Sequence, residues 1–416
     1  MARIIQKYGG SSVATLELIQ GVAKRAIAAK NAGNEVVVVL SAMKGETDRL
    51  LKLARELARD PDSRELDNLV ATGEQVSVAL FALACQAMGE KVKSFLGFQA
   101  GIKTDDKHGK ARIESVDPAR LRTELAKGRI AVVAGFQGIN RLGDVTTLGR
   151  GGSDTTAVAL AIALQADVCE IYTDVDGIYT TDPNICDKAR KMEKISYEEM
   201  LELSSLGAKV MEIRSVELGL NHGVKIHVRH AHSPREGTMI VMEEPDMEKT
   251  PVRGVTHSMN EARLTLVRVK DEPGVAARIL SIVSKAEIVV DMIIQNRSAA
   301  ADEGRYTDFS FTVPLSDYAR TLELLQAAQK ELGASQILGD DNIAKISIVG
   351  AGMRNHAGVA ALMFSALAKE GVNLNMISTS EIKISCVIEK KYAELAVRAL
   401  HDAFGLGEAN EPAKIA

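Results

Sequence analysis

The densest chemistry in this 416-residue chain lies in Thr146-Thr147-Leu148-Gly149-Arg150-Gly151-Gly152-Ser153-Asp154-Thr155-Thr156. Glycines and hydroxyls surround one arginine and one aspartate, directly before an Ala-rich stretch that predicts a helix over 153–165. Glycine lets backbone approach an anion closely, and the successive amides of Gly151, Gly152 and Ser153 suit an anion nest. Arg150 carries the planar fork that grips a carboxylate through two bonds. Asp154, in the first helical turn, suits a Mg²⁺ ion held through water, or the orientation of a lysine. A plain flexible loop, with Ser153 as cap and Asp154 favoured by the helix dipole, uses the same residues.

Two further loops carry the same kinds of group. In Lys7-Tyr8-Gly9-Gly10-Ser11-Ser12 a lysine ends a strand, two glycines follow, and hydroxyls open a helix. A phosphate would meet backbone amides there, with Lys7 as a point charge; an ordinary strand-to-helix turn with a solvated lysine fits too. The segment from Thr173 and Asp174 through Tyr179 to Asp182 and Pro183 follows an apolar strand. Its acids suggest a calcium loop, but no glutamate closes it and the glycine is misplaced. It reads as a loop at a nucleotide's edge, or as two successive turns.

Single residues add to this. Glu74, in Thr72-Gly73-Glu74-Gln75, is a first-turn acid or the partner of an ammonium group. Ser41 and Thr47, around Gly45, are caps or ligands. His227, His230 and His232 fit a surface strand better than a metal site, and no metal ligand set is expected from the protein. The chain has neither the G-x-x-x-x-G-K-[ST] loop nor the protein-kinase signatures, so a nucleotide would need another cradle.

The elements that must position these loops alternate. Arg3–Lys7, Glu35–Leu40, Ile130–Ala134 and Val168–Tyr172 predict strands; 15–31, 48–59 and 153–165 predict helices. That order implies a mostly parallel sheet covered by helices, with ligands beyond the carboxyl ends of its strands. The charged stretch 243–251, bracketed by prolines, reads as a linker. A weak internal repeat follows. Strand 263–269 and its helix match strand 344–350 and its helix; 287–293 matches 372–377 as a second strand; 306–313 matches 383–388 as a third. Two βαββα copies of about 70 residues suit two small α+β modules.

The formal charge of −4 gives no basic surface for nucleic acid or an anionic membrane. No apolar run is expected to span a bilayer, and the first residues are too polar for a signal peptide. Four scattered cysteines fit reduced, buried thiols and a cytoplasmic protein.

Taken as an ordered set, Lys-Tyr-Gly-Gly-Ser-Ser, Gly-Arg-Gly-Gly-Ser-Asp-Thr-Thr-Ala and Thr-Asp-Val-Asp-Gly-Ile-Tyr-Thr-Thr-Asp-Pro resemble the aspartate kinases of the amino-acid kinase family. The likeness runs over essentially the whole chain, and the tandem modules look like that family's regulatory ACT domains. It implies an α/β fold with a three-layer kinase domain at 1–245. Two ferredoxin-like ACT domains would follow at 263–337 and 344–410, with 250–262 offering a strand to complete the second. The implied reaction takes ATP, Mg²⁺ and L-aspartate to 4-phospho-L-aspartate, on the route to lysine, threonine and methionine. By resemblance Lys7, Asp154 and Arg150 are catalytic. Ser41, Gly45, Thr47, Glu74, Arg150, Gly151, Gly152, Ser153 and Asp154 bind aspartate. Lys7, Tyr8, Gly9, Gly10, Ser41, Thr173, Asp174, Tyr179, Asp182, Pro183 and Lys209 contact ATP. Asp271, Ala276, Asp291, Gln295, Ala360, Ala361, Asn375 and Glu381 bind the effectors lysine and/or threonine. A monofunctional homo-oligomer joined through ACT domains is implied. An α₂β₂ form, whose shorter regulatory chain starts at Met242, Met247 or Met259, is the variant. Another amino-acid kinase, for glutamate or acetylglutamate, and a non-catalytic amino-acid sensor are the alternatives.

Overall fold

The run Val36–Val39 settles the centre of the molecule's first unit. Consecutive apolar β-branched residues can be hidden only in a sheet covered on both faces, and all four are buried. The computed structural model describes residues 1–205, 210–244, 250–297 and 306–408. They divide into two units, Met1–Tyr179 with Lys191–Pro245, and Thr180–Arg190 with Asp246–Ala416. The 1–245 stretch expected as one domain is thus interrupted by eleven residues that pack with the second unit.

In chain order the first unit begins with β1 (Arg3–Tyr8), α1 (Leu16–Asn31), β2 (Glu35–Leu40), α2 (Glu46–Leu57), α3 (Ser63–Val70) and α4 (Thr72–Ala87). It continues through β3 (Val92–Phe95), β4 (Ile102–Thr104), β5 (Ile113–Val116), α5 (Ala119–Ala126), β6 (Ile130–Ala134), β7 (Gln137–Ile139), β8 (Val145–Thr147) and α6 (Gly152–Leu164). It ends with β9 (Val168–Thr173), β10 (Lys194–Ser196), α7 (Tyr197–Ser205), α8 (Ile213–His222), β11 (Ile226–His230) and β12 (Thr238–Val241). Among the described residues eight strands form one sheet, ordered β10-β12-β11-β9-β1-β2-β6-β3. Every pair is parallel except β11–β12. Strands β4, β5, β7 and β8 form a smaller sheet.

Helix α1 starts where the Thr15 hydroxyl accepts from the Leu18 amide, and its buried Ile19, Val22, Ala23 and Ala26 join the core that β2 and β6 share with α4. Helix α6 is buried almost all round, so a charged residue on it must find a partner inside the protein. The stretch Ser63–Ala87 corrects one expectation: α3 and α4 together are long and apolar enough to cross a membrane. Here their apolar face, with Val78, Phe81, Ala82 and Cys85, fills the core. The same stretch carries the buried acids Asp67 and Glu74.

The second unit holds β13 (Gly254–Ser258), β14 (Glu261–Lys270), α9 (Val275–Lys285), β15 (Ile293–Arg297), β16 (Tyr306–Pro314), α10 (Tyr318–Leu332) and β17 (Gln336–Asp340). Then come β18 (Ile343–Val349), α11 (Val359–Lys369), β19 (Met376–Thr379), β20 (Lys383–Glu389) and α12 (Ala393–Ala403). Two antiparallel sheets result, β15-β16-β14-β17 and β13-β18-β20-β19, each with its own apolar core. The first module takes its fourth strand, β17, from after its helices; the second takes β13 from before the first module. The second strand of each copy lies further along the chain than its sequence suggests. The run 287–292 precedes regular pairing, because Glu287 leaves α9 with a left-handed φ of 58°, and the ladder with β16 is regular only from Ile293. Likewise β19 pairs from Met376, not from Val372.

Candidate active site

Strand β1 lies at the middle of the large sheet, between β2 and β9. The chain leaves β1 towards β2 on one side and leaves β9 towards β10, β11 and β12 on the other, which opens a crevice at the carboxyl ends of β1 and β9. Lys7, next to last in β1, sits there. Its Nζ lies 2.6 Å from Asp154 Oδ1, and both side chains are largely buried. Asp154 reaches this point because α6 begins at Gly152, after a turn in which Gly151 is left-handed with φ 68°. A Cβ on Gly151 would also fall 2.5 Å from Glu212 Cβ, so the turn demands glycine on two counts. At Gly10 a Cβ would lie 2.8 Å from the Ala42 carbonyl oxygen, which lets the first glycine loop press against the Ser41–Lys44 loop.

A cavity of about 520 Å³ opens beside Lys7. Lys7, Gly10, Ser41, Gly45, Thr47, Glu74, Arg150, Gly151, Gly152 and Ser153 all line it. Four segments distant in sequence are therefore brought together as the sequence reading expected, with Asp154 behind Lys7. Glu74, 3 % exposed, accepts from the Ala42 amide at 3.0 Å through Oε1. Its Oε2 is buried without a hydrogen-bond partner. Burial pushes its carboxyl up to about 7, against the lowering pull of the Ala42 amide and its own.

The expected nucleotide residues are less uniformly placed. Lys7, Gly10 and Ser41 line the cavity. The Tyr8 ring is fully buried and stacked on Tyr172 at 4.5 Å, so a ligand there would meet its backbone, as at the adjoining Gly9. Thr173 ends β9, beside the end of β1, and its hydroxyl donates to Asp174. The Tyr179 hydroxyl donates to Asp176 at 2.6 Å, which raises the phenol to about 12. Thr173, Asp174 and Tyr179 lie outside the cavity lining. Asp182 and Pro183 belong to the second unit, and Lys209 falls outside the described residues, as does Met247.

Among the effector candidates, Asp271 and Ala276 flank the start of α9, and Ala360 and Ala361 occupy the equivalent first turn of α11. Asp291 precedes edge strand β15, which carries Gln295; Asn375 precedes edge strand β19. The Asp291 carboxylate pairs with the buried Lys345, which also meets Glu261 at 2.8 Å. Glu381 pairs with Arg354 at 3.3 Å.

Two acids escaped the sequence reading. Asp67, 1 % exposed, lines the cavity and gathers donors from the turn after β4 and from the end of β8. It accepts from the Gly109 amide at 3.0 Å, the Thr147 amide at 3.1 Å and the Thr147 hydroxyl at 2.5 Å, and pairs with His108 Nδ1 at 2.9 Å. Only the apolar spacing of Leu66, Asp67 and Val70 on α3 hints at its burial. Glu212 precedes α8 and lies against Gly151; burial raises its carboxyl, opposed by Arg214 and Arg150 and helped by Asp154. Asp67→Ala would orphan the two buried Thr147 donors and the part-buried Gly109 amide, an expected cost of about 3 kcal/mol. Scanning calorimetry should register it as a Tm lower by roughly 6–12 °C; an unchanged Tm would remove this role from Asp67.

Known proteins share this arrangement. The amino acid kinase family matches residues 2–230, and ACT domains match 263–329 and 346–404. An aspartate kinase of Stutzerimonas stutzeri is 53 % identical over 407 residues, 98 % of each chain. An aspartokinase of Mycolicibacterium smegmatis is 50 % identical over 414 residues, 99 % of this chain and 98 % of its own. Among solved structures, E. coli aspartokinase III in complex with aspartate and ADP (R-state) superposes with a TM-score of 0.80 at 25 % identity, over 97 % of this chain and 99 % of that one. The same enzyme in complex with lysine and aspartate (T-state) gives 0.75 at 25 % identity, over 96 % and 98 %.

Proposed function

Because the chain belongs to the amino acid kinase family, among its aspartate kinases, we propose that its cavity binds L-aspartate for transfer of the γ-phosphoryl group of ATP to the side-chain carboxylate. One observation carries this reading. A single cavity presents a buried acid with a spare oxygen in Glu74, a guanidinium in Arg150, and an ammonium in Lys7. These complement an amino acid's ammonium, its α-carboxylate, and the anions that must meet at the reacting end.

The chemistry follows from the charges. A carboxylate is already a nucleophile at neutral pH, so no general base is required. Its oxygen forms a bond to the γ-phosphorus as the bond from phosphorus to the β–γ bridging oxygen breaks, and ADP leaves with that electron pair. No proton moves. The obstacle is bringing two anions together, and positioning plus fixed positive charge are what lower it. Arg150 and Glu74 hold the amino acid by its other two groups. Lys7, oriented by Asp154, keeps donors for the transferring oxygens, and the amides of Gly151 and Gly152 add fixed dipoles. Among the described residues no three His, Cys, Asp or Glu side chains are grouped to hold a metal. Mg²⁺ keeps several waters and binds through one or two carboxylates and substrate phosphates; Asp154, beside Lys7, would serve as such a carboxylate. Mg²⁺, when bound, supplies further positive charge at the phosphate oxygens.

The proposal extends to regulation and setting. Lysine is bound by E. coli aspartokinase III, and here lysine, threonine or both would bind at the paired ACT modules. Exposed Val289, Ile293 and Ile377 on or beside edge strands favour a homo-oligomer joined through these modules, with the α₂β₂ form as its variant. Four buried free cysteines favour the reducing cytoplasm.

A coupled assay of ADP release with a panel of acceptors tests the core of the reading. Aspartate should exceed glutamate by about 10–200-fold in kcat/KM, the range one methylene allows. N-acetylglutamate and uridylate should be turned over less well still. Preference for any of these would replace aspartate as acceptor; no turnover with any would leave an amino-acid sensor.

A further inference from the structure

Three segments far apart in sequence meet on one carboxylate within the first unit. Asp67 comes from α3. Its Oδ1 accepts from the Thr147 hydroxyl and from the Gly109 amide. Its Oδ2 accepts from the Thr147 amide, from the same Gly109 amide and from Nδ1 of His108. Every neighbour is a donor, so only an acceptor-only group satisfies them all; an asparagine amide would turn its NH₂ towards donors. The ionised carboxylate also sets the histidine, whose Nδ1 must carry a proton to donate to it. An anion is a costly choice at this place. Asp67 lines the same cavity as Arg150, and that cavity is read above as receiving an α-carboxylate. Negative charge in the wall opposes such a ligand, so what Asp67 holds must outweigh the repulsion.

What it holds is the approach to Arg150. The backbone between Thr147 and Gly149 is tied down group by group. The Thr147 amide ends on Asp67, and the Thr147 carbonyl accepts from the Ala111 amide at 2.9 Å. The Leu148 amide donates to the Phe136 carbonyl at 2.9 Å, and the Leu148 carbonyl accepts from Arg214 at 3.1 Å. The Gly149 carbonyl accepts from the Gly152 amide at 3.0 Å. Gly149 is left-handed with φ 80°, and a Cβ on it would lie 3.1 Å from the Gly109 carbonyl oxygen. Gly109 is therefore the surface against which the turn is laid, and Asp67 holds Gly109 by its amide. Arg150 is the next residue and its side chain is exposed, so its aim depends on the backbone that carries it.

We infer that Asp67 is a positioning residue for the acceptor: by holding Thr147 and Gly109 it aims Arg150 at the amino acid's α-carboxylate, and His108 keeps Asp67 in place. This rests on the reading of Arg150 as the partner of that carboxylate.

Steady-state kinetics of the full-length protein, with aspartate and ATP varied separately, test it. Thr147→Val and His108→Ala each remove one donor to Asp67 and should raise KM for aspartate about three- to tenfold, the size of one net hydrogen bond. Asp67→Asn, which disturbs several bonds at once, should raise it at least as far. None should move KM for ATP. Thr147→Ser and His108→Asn, which keep a hydroxyl and a side-chain N–H, should return KM for aspartate towards the parent value. His108 is not among the residues that line the cavity, so its effect reaches the amino acid through Asp67 and the turn. In an Arg150→Ala background, His108→Ala and Asp67→Asn should raise KM for aspartate no further. An unchanged KM for aspartate in both His108→Ala and Thr147→Val overturns the inference, and neither variant depends on the folding of Asp67→Asn. So does a parallel rise in both KM values, which would mark a structural effect only, or a full further rise on top of Arg150→Ala. Arg150→Ala alone separates the two levels. If it raises KM for aspartate while the Thr147 and His108 variants do not, the positioning role alone fails. If it leaves KM for aspartate unchanged, the reading of Arg150 falls and the inference with it.

Discussion

Replacing Lys7 by alanine is expected to lower kcat by about 10²–10³-fold, the scale of removing one fixed charge stabiliser from a transferring group. KM for aspartate should change by less than about threefold, because the interaction lost is made mainly in the transition state. The geometry gives the reason. Lys7 is at the end of a central strand, where neighbours in β2 and β9 hold its backbone on both sides, and Asp154 fixes its ammonium from the first turn of α6. Little reorganisation is left for the moment of reaction. The variant has a second consequence. Asp154 is 6 % exposed, and removing its cation strands a buried carboxylate, typically at about 3–5 kcal/mol. Lys7→Met combined with Asp154→Asn removes the stranded charge. The double variant should regain most of the lost Tm and remain as slow as Lys7→Ala. A kcat near the parent's in either variant would take Lys7 out of the transfer; recovered turnover in the double variant would mean that the single change acted through stability.

The parts of this machine that depend on neighbours in sequence were legible in advance, and those that depend on distant neighbours were not. The β2 and β6 strands are apolar β-branched runs that no exposed element tolerates. The glycines, Arg150 and Asp154 crowd one turn, so their chemistry can be read without knowing what faces them. Glu74 and Ser41 showed only as residue types able to bind, because their meeting requires β1, β2 and α4 to be neighbours. Asp67 was hidden: an acid inside a helix reads as a solvated side chain until the Gly109 and Thr147 amides arrive from elsewhere. Nothing local marked the segment Thr180–Arg190 as part of the second unit. Its partners His401, Asp402 and Leu406 lie more than 200 residues on. In the ACT modules the β-branched Ile288-Val289-Val290 reads as strand, but the left-handed residue that ends α9 delays the pairing. Periodicity reports burial, not where a ladder begins.

The Glu74 carboxyl should make aspartate use depend on pH in a way its removal abolishes. Its folded-state value of about 7 stands well above the roughly 4.3 of an unfolded chain. Only the ionised form attracts the substrate's ammonium, which stays protonated throughout this range. For the parent, kcat/KM for aspartate should therefore rise through about pH 7 and level off above it, since this ratio reports the free enzyme's groups. Glu74→Gln should flatten that rise and raise KM for aspartate about 10–100-fold, the scale of a lost charge-assisted hydrogen bond. The linkage has a definite sign. A carboxyl whose folded value is raised favours the folded state fully below the unfolded value, and that advantage is lost as pH climbs through the folded one. The unliganded protein should thus lose up to about 3 kcal/mol between pH 4 and pH 8 on account of this residue, and Glu74→Gln should recover it at pH 8. The substitution that harms binding is expected to raise Tm, most at alkaline pH. Aspartate binding should also expel the proton that the empty site retains. At pH 7 calorimetry in buffers of different ionisation enthalpy should find about half a proton released per aspartate bound, and none for Glu74→Gln. Equal proton release in both proteins, or a pH profile that survives the substitution, would assign the spare oxygen of Glu74 to something other than the amino acid's ammonium.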